Sequence, residues 1–457
     1  MPSVPDGPVE PQGLPDDVVD ALFFNLKRFS RLAVAVSGGA DSLCLMTLLA
    51  EWKQRSAWSG QLEVLCVDHG LRPESGAEAA FVATCAEEQG LDCAILRWTG
   101  VKPDHNLQEE ARFARYRLMA GHMAKSGAEA LLLGHHLDDQ AETFLDRLTR
   151  GSGVAGLSAM AADDTSGPGG LRLLRPLLTI EKTLLEASLT ARGRTWCTDP
   201  SNEDDRYKRS RLRSVLALLA QEGLTAERLA RTADNMRRAG EALQATLQDL
   251  AEKHLVEHAA GPLKLERAVF RAIPEELRLR LITLMIARVT GSSPRPRLRS
   301  LTGLNRMLSG DRPCRLTLAG AVFEAGPETV CCWKERGRTP PETLVGLKGR
   351  GVWDNRYVFS VVGEPDEPAG IPLQLGPLSD APVSSKEIDW PKGWPKAAFD
   401  CAPVVWCGER VLMLHALTAL LEPGTSHPEG GITLERLPIH AKLLGNYVDD
   451  GDVAEEN

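Results

Sequence analysis

The chain has 457 residues, of which 43% are hydrophobic and 25% charged, a composition of ordinary globular proteins and a length suited to about three domains. No stretch approaches the roughly 18 uncharged apolar residues of a membrane helix, so no membrane partner is expected, and a net charge of −9 argues against a uniformly basic nucleic-acid binder. Ten cysteines without a C-x-x-C pair speak against iron–sulfur and zinc sites and for a reduced, cytoplasmic location.

The first 20 residues open with the Pro-rich, acidic "MPSVPDGPVEPQGLPDD". They lack the basic and apolar parts of a secretory signal and read as a disordered lead-in. Residues 21–215 alternate short apolar β-runs with helical patterns. Strands are expected at 32–36, 62–67, 93–98 and 130–134, with a weaker one near 171–174. Helices are expected at 42–53, 76–89, 107–125 and 138–149; in the last, Leu137, Ala141, Phe144, Leu145 and Leu148 recur at helical spacing. This alternation predicts an α/β fold, a parallel sheet with helices on both faces. Ligands bind such sheets at the carboxyl ends of the strands. Residues 216–315 read as a helical region, residues 316–440 as a small β or mixed region, and residues 441–457 as an acidic tail.

Charge is unevenly spread. "RYKRSRLR", residues 206–213, has five basic side chains and no acid; residues 264–315 hold twelve Lys/Arg against four acids. These segments offer a polyanion a place to bind, although solvated helix faces explain residues 264–315 equally well.

Two clusters carry chemistry. In "AVAVSGGADSLCLM", an apolar run ends at Ser37-Gly38-Gly39-Ala40-Asp41-Ser42 and a helical pattern follows. The glycines let backbone N–H groups approach a phosphate, and the helix points its N-terminal dipole there. The usual phosphate-loop lysine is missing. Asp41 would repel a phosphate unless a divalent cation stood between them, which most simply implies Mg2+. The second cluster, "LLLGHHLDDQAETFLDRLTRGSG", opens a helix with Asp138, Asp139 and Glu142. Glu142 stacks over Asp138. These acids suit a metal ion, a substrate ammonium or a helix dipole; zinc on His135, His136 and Asp138 is disfavoured by so acid-rich a set. Arg112 and Arg115 share one helix face, and "DHGLR", Arg175-Pro176 and "DPSN" follow other strands or turns.

Together these residues resemble the N-type ATP pyrophosphatase (PP-loop) superfamily, whose S-G-G-x-D-S loop matches Ser37 to Ser42. Within it the chain is similar to the tRNA(Ile)-lysidine synthase family, through "VDHGLR", "QEEARFARY", "LGHHLDDQAETFLDRLTRGSG", "RPLL" and "DPSN" in order, over about residues 30–215. The resemblance implies a Rossmann-like domain that uses ATP and Mg2+, an isoleucine tRNA with a CAU anticodon, and L-lysine. It implies that the wobble cytidine attacks the α-phosphate through O2, and that lysine then displaces AMP at C2 to give lysidine.

By the same resemblance, Ser37, Gly38, Gly39, Ala40, Asp41 and Ser42 hold the pyrophosphate portion of ATP. Asp41 with one of Asp138 and Asp139, taken as Asp139, positions the metal; the remaining acids with Glu142 receive the lysine ammonium. Arg112, Arg115 and His135 contact phosphate or the lysine carboxylate. Arg209 and Arg213 act in catalysis, in a family segment R-N-x-x-R where Ser210 replaces the Asn. The helical region would recognise tRNA by phosphate contacts and shape. A tRNA thiolase of the same superfamily would need C-x-x-C pairs, and a non-catalytic nucleotide sensor would be expected to lose an acid such as Asp41 or Asp139; both are present.

Overall fold

The computed structural model describes residues 13–71, 74–100, 102, 107–198, 208–292, 296–337, 340–362, 371–419 and 431–437. Its contacts divide the chain into two units, residues 1–149 with 154–237, and residues 150–153 with 238–457.

The first unit is built on a six-stranded sheet. In chain order it runs α1 (Asp16–Phe23), β1 (Arg31–Ala35), α2 (Ala40–Ser56), β2 (Gln61–Asp68), α3 (Ser75–Glu87), β3 (Asp92–Arg97), α4 (Leu107–Ser126), β4 (Ala130–Leu132), α5 (Leu137–Thr149) and the short α6 (Val154–Leu157). Then come β5 (Asp163–Asp164), β6 (Leu173–Leu174), α7 (Lys182–Ala191), α8 (Lys208–Gln221) and the start of α9 (Ala226–His254), a helix that belongs to the second unit from Arg238 on. The strand order is β3-β2-β1-β4-β6-β5, and every pairing is parallel except β5 with β6. β1 lies between β2 and β4, so chain order reverses there and a crevice opens at the strands' carboxyl ends.

Side-chain alternation along β1 assigns the two faces. Leu32 and Val34 join a core with Phe23 of α1, Leu43 and Met46 of α2, Val82 of α3 and Leu185 of α7. Ala33 turns to the other face with Leu65, Leu131 and α4's Tyr116, Met119 and Met123. The α/β sheet covered on both faces is therefore present.

Three expectations change. The lead-in does not reach residue 20: α1 begins at Asp16, and Leu14, Val19 and Phe23 are buried. Asp16 and Asp17 sit in its first turn, where acids favour the helix dipole, so their charge concealed a helix. The antiparallel β5 went unforeseen because two residues cannot show a period; Asp163 is held there by Arg172 at 2.6 Å and Arg28 at 2.8 Å. Finally, the first unit continues past residue 215, because Leu216 of α8 and Leu229 and Ala233 of α9 pack with Ala141 and Phe144 of α5.

In the second unit, β7 (Val256–Glu257), β8 (Leu263–Glu266), β9 (Cys314–Leu318), β10 (Ala321–Ala325) and β11 (Thr329–Lys334) form an antiparallel sheet ordered β7-β8-β11-β10-β9. Residues 216–315 are thus not helical throughout. α10 (Arg267–Ala272), α11 (Glu275–Thr290) and α12 (Leu298–Ser309) accompany this sheet; Leu281, Met285 and Ile286 of α11 share a core with Leu301 and Leu308 of α12 and Phe323 and Val330 of the sheet. Smaller antiparallel sheets are formed by strands within the described stretches 340–362, 371–419 and 431–437. There "VWDNRYVFSVV" closes a hairpin through the three residues Asp354–Arg356, with Asp354 and Asn355 left-handed at φ 52° and 53° and Arg356 N–H donating to Trp353 O at 3.1 Å. The acidic tail lies outside the described residues.

Candidate active site

The phosphate loop leaves β1 with its register intact: Val36 N–H donates to Leu65 O at 3.0 Å. Gly38 then adopts φ +89°, a conformation that side-chain-bearing residues rarely take. Gly39 is extended and caps α2. Ser42 Oγ accepts from Ser37 N–H at 3.1 Å and donates to Gly39 O at 3.2 Å, so the second serine ties the loop to the helix's first turn. Asp41 stands in that turn. Its Oδ1 is buried and has no hydrogen-bond partner among the described residues. A buried carboxylate oxygen left this way is a place for a cation.

Gly134, just after β4, decides how the second cluster meets the first. A Cβ on Gly134 would lie 2.8 Å from Asp41 O and 2.9 Å from Ser42 N. The end of β4 therefore rests directly on the backbone of α2's first turn. His136, only 2% exposed, is carried into the middle. Its Nε2 lies 3.6 Å from Asp41 Oδ2 and 3.4 Å from Asp139 Oδ2, and its Nδ1 lies 3.3 Å from Asp138 Oδ2. Burial opposes a charge on the ring, but the Asp138 and Asp41 carboxylates outweigh it and raise the His136 pKa to about 10. The same contact with His136 holds Asp138 below the usual carboxylate range.

Asp139 has two duties. Its Oδ2 accepts from His136 N–H at 3.1 Å at the start of α5, the dipole-capping role, and it also faces Asp41 across His136. Asp138 Oδ2 accepts from Lys182 N–H of α7 at 3.1 Å. Among the described residues no group of three or more His, Cys, Asp or Glu is arranged to hold a metal ion by itself.

α8 docks on α5 through charge. Arg213 Nε donates to Glu142 Oε1 at 2.5 Å, and Lys208 Nζ lies 2.6 Å from Asp146 Oδ1. Glu142 is 2% exposed. Burial works against the Arg213 charge, but Glu142, Asp139 and Asp41 raise its pKa above the ordinary value. Two expected site residues from distant segments thus form one pair beside the carboxylates. The Arg209 side chain and the "DPSN" segment lie outside the described residues.

The remaining expected residues are less concentrated. Arg115 Nε reaches His69 Nε2 of "DHGLR" at 3.4 Å, and Arg112 lies over the Tyr116 ring at 5.5 Å. Neither touches the Asp41–Asp139 cluster among the described residues. His69 is kept neutral by burial and by Arg115 and Lys102, which take its pKa down to about 4. His135 is half-buried beside His136. Sequence reasoning gave no separate role to His136 or Gly134. The signal was there: an apolar strand, then a glycine, a His pair and two acids within six residues.

A family model described as the PP-loop domain matches residues 17–219, which include the loop, the β4–α5 cluster and Arg213. Among curated relatives, a tRNA(Ile)-lysidine synthase from a Bradyrhizobium species is 41% identical over 319 residues, covering 65% of this chain and 88% of the relative. One from Ruegeria pomeroyi is 39% identical over 406 residues, covering 88% of this chain and 92% of the relative. The chain belongs to the tRNA(Ile)-lysidine synthase family. Membership extends beyond the PP-loop domain, since the Ruegeria relative aligns with most of the second unit as well. A third tRNA(Ile)-lysidine synthase, from a Methylobacterium species, is 45% identical over 301 residues, 64% of this chain and 86% of the relative. Family membership makes the protein a ligase that uses ATP. No helix among the described residues is long and apolar enough to cross a membrane.

Proposed function

We propose that the chain joins L-lysine to C2 of the wobble cytidine of an isoleucine tRNA carrying a CAU anticodon, releasing AMP and pyrophosphate. One observation carries this reading: Asp41 of the phosphate loop and Asp139 of the β4–α5 turn both approach the same nitrogen, His136 Nε2, at 3.6 and 3.4 Å. The loop's N–H groups and Ser37 and Ser42 receive the β- and γ-phosphates. The three carboxylates around His136 outnumber its one positive charge and would still repel them. Mg2+ suits the donor set, because it takes one or two carboxylates and completes its shell with phosphate oxygens and water. Asp41, with its unpartnered Oδ1, and Asp139 are the residues that would hold it. When bound it neutralises charge on the departing pyrophosphate.

Arg213 spends its Nε on Glu142 and keeps its terminal NH2 groups for oxygens of the reacting phosphate. Cytidine O2 attacks the α-phosphorus, and the bond to pyrophosphate breaks. An amino group of lysine then attacks C2; it loses a proton, and AMP leaves with the C2 oxygen. The acids beside Arg213 draw the lysine ammonium in, while Arg112, Arg115 and His135 are assigned to phosphate or to the lysine carboxylate. Arg209 is assigned beside Arg213. The test is incorporation of labelled lysine into a CAU transcript. It should require ATP and fail when the wobble C is changed to U; incorporation that ignores the wobble base would refute the assignment.

A further inference from the structure

Much of the basic excess between residues 264 and 315, twelve Lys/Arg against four acids, falls into a set with partners within the chain and an outward set without ion pairs among the described residues. Arg267, 1% exposed, gives its guanidinium to the carbonyls of Leu308, Gly310, Arg312 and Gly326. Arg271 pairs with Asp311 at 3.1 Å, Arg280 with Glu276 at 2.7 Å and Arg288 with Glu257 at 3.4 Å. Arg278 donates to Asn305 Oδ1 at 2.9 Å. The outward set differs. Arg297, Arg299, Arg306 and Arg312 are exposed, and none has an ion pair among the described residues.

Two of these lie on α12, whose orientation is fixed. Leu301, Leu304 and Leu308 are buried in the core, and Asn305 is held by Arg278. Arg299, Gly303 and Arg306 are spaced i, i+4 and i+7, so they share the opposite face. Gly303 is the telling residue. Glycine is a poor helix former, and a Cβ at this position would meet nothing within 4 Å among the described residues, so no packing against them calls for it. It leaves a bare stretch of helix between two guanidiniums, roughly 10 Å apart along the axis.

We propose that this face of α12 binds the sugar–phosphate backbone of the tRNA, with Arg299 and Arg306 on phosphates and Gly303 as the surface that the backbone approaches. The proposal rests on the reading of the chain as a tRNA-modifying enzyme and names the surface that holds that substrate. Backbone contacts carry no sequence information, so this face supplies affinity, and the selection of the wobble base lies elsewhere.

The experiment measures Kd for an unmodified tRNA transcript over a range of salt concentrations, with full-length protein. Arg299→Ala/Arg306→Ala should weaken binding about tenfold near 0.1 M salt and make the log–log salt dependence shallower by about one to two units. An unrelated tRNA should lose affinity equally, and ATP affinity and Tm should stay at wild-type values. Gly303→Leu keeps every charge and favours the helix, yet should weaken tRNA binding severalfold without altering the slope. Salt lines of the double variant that superimpose on the wild type would overturn the proposal, as would wild-type affinity in Gly303→Leu. Wild-type protein that incorporates lysine while the double variant binds tRNA normally would sink this surface alone. Wild-type protein that binds no tRNA would sink the enzymatic reading itself.

Discussion

Asp41 is where loss of a single charge should separate chemistry from folding. Asp41→Asn hardly changes volume and leaves the core intact, so Tm should move little. Removing a group that supports charge in the transition state costs about 10² to 10³ in rate. Near-wild-type pyrophosphate release from the purified variant would refute the metal assignment. Gly134→Ala makes the complementary test, because its Cβ would press on Asp41 and Ser42 backbone atoms at 2.8–2.9 Å. Neither backbone can yield cheaply, so a loss of about 1–3 kcal/mol is expected, with turnover falling as Asp41 is displaced. Thermal unfolding and lysine incorporation, measured together, check both effects. His69 gives a pH signature. Its folded pKa of about 4 lies below the ordinary 6.5, so the unfolded chain binds the proton more readily between these values. Its contribution to stability is present above pH 6.5 and is lost as pH falls toward 4. The Tm of His69→Gln should therefore decline less steeply than wild type over that interval. At this scale Asp41, Asp139 and Glu142 were legible as chemistry-bearing types at strand ends and helix starts, whereas Arg213 was singled out by the basic run and the family resemblance. His136 and Gly134 were not, because their importance comes from where β4 meets α2, a contact that no local pattern states.

Among the elements, α8 shows how a helix from far along the chain brings a basic residue beside the acidic cluster of α5. Two ion pairs and the apolar contact of Leu216 with α5 fix it. Arg213→Ala would remove the Arg213 ion pair from the carboxylate of Glu142, which is 2% exposed. Breaking a fully buried pair costs about 3–5 kcal/mol; the Arg213 side chain is 41% exposed, so solvent screening reduces the expected loss to about 1–2 kcal/mol. Arg213→Lys should recover much of that stability but little turnover, since lysine has no second donor group once it reaches Glu142. Equal turnover in the Lys variant and wild type would contradict a direct role at the phosphate. The long apolar strands of the first sheet announced themselves by composition, and the helices by period. Two-residue strands such as β5 and β7 could not, since their pairing is set by partners distant in sequence.

For the whole molecule, the strands that follow α12 are not a tail detachable from the second unit's own helices. β9, β10 and β11 cover α11, and Phe323, Val330 and Cys332 lie in its core. A chain ending at residue 315 would uncover Leu281, Met285 and Ile286, and should aggregate or lose the second unit's folded signature in size-exclusion chromatography and circular dichroism. A monomeric, fully folded truncation would contradict this account of the core. That architecture was only half visible in the sequence: β character after residue 316 was legible, but not that these strands join β8 across α11 and α12. We propose that the phosphate loop serves a reaction that activates a tRNA cytidine for lysine, and this proposal has a direct experimental readout. It is tested most directly by nucleoside mass analysis of a CAU isoleucine transcript after incubation with ATP, Mg2+ and lysine, using wild-type protein and Asp41→Asn. The account predicts that wild type converts the wobble cytidine to lysidine, with one AMP and one pyrophosphate released per lysidine, and that Asp41→Asn does not. An unmodified cytidine with wild-type protein, or a modified nucleoside that contains no lysine, would contradict it.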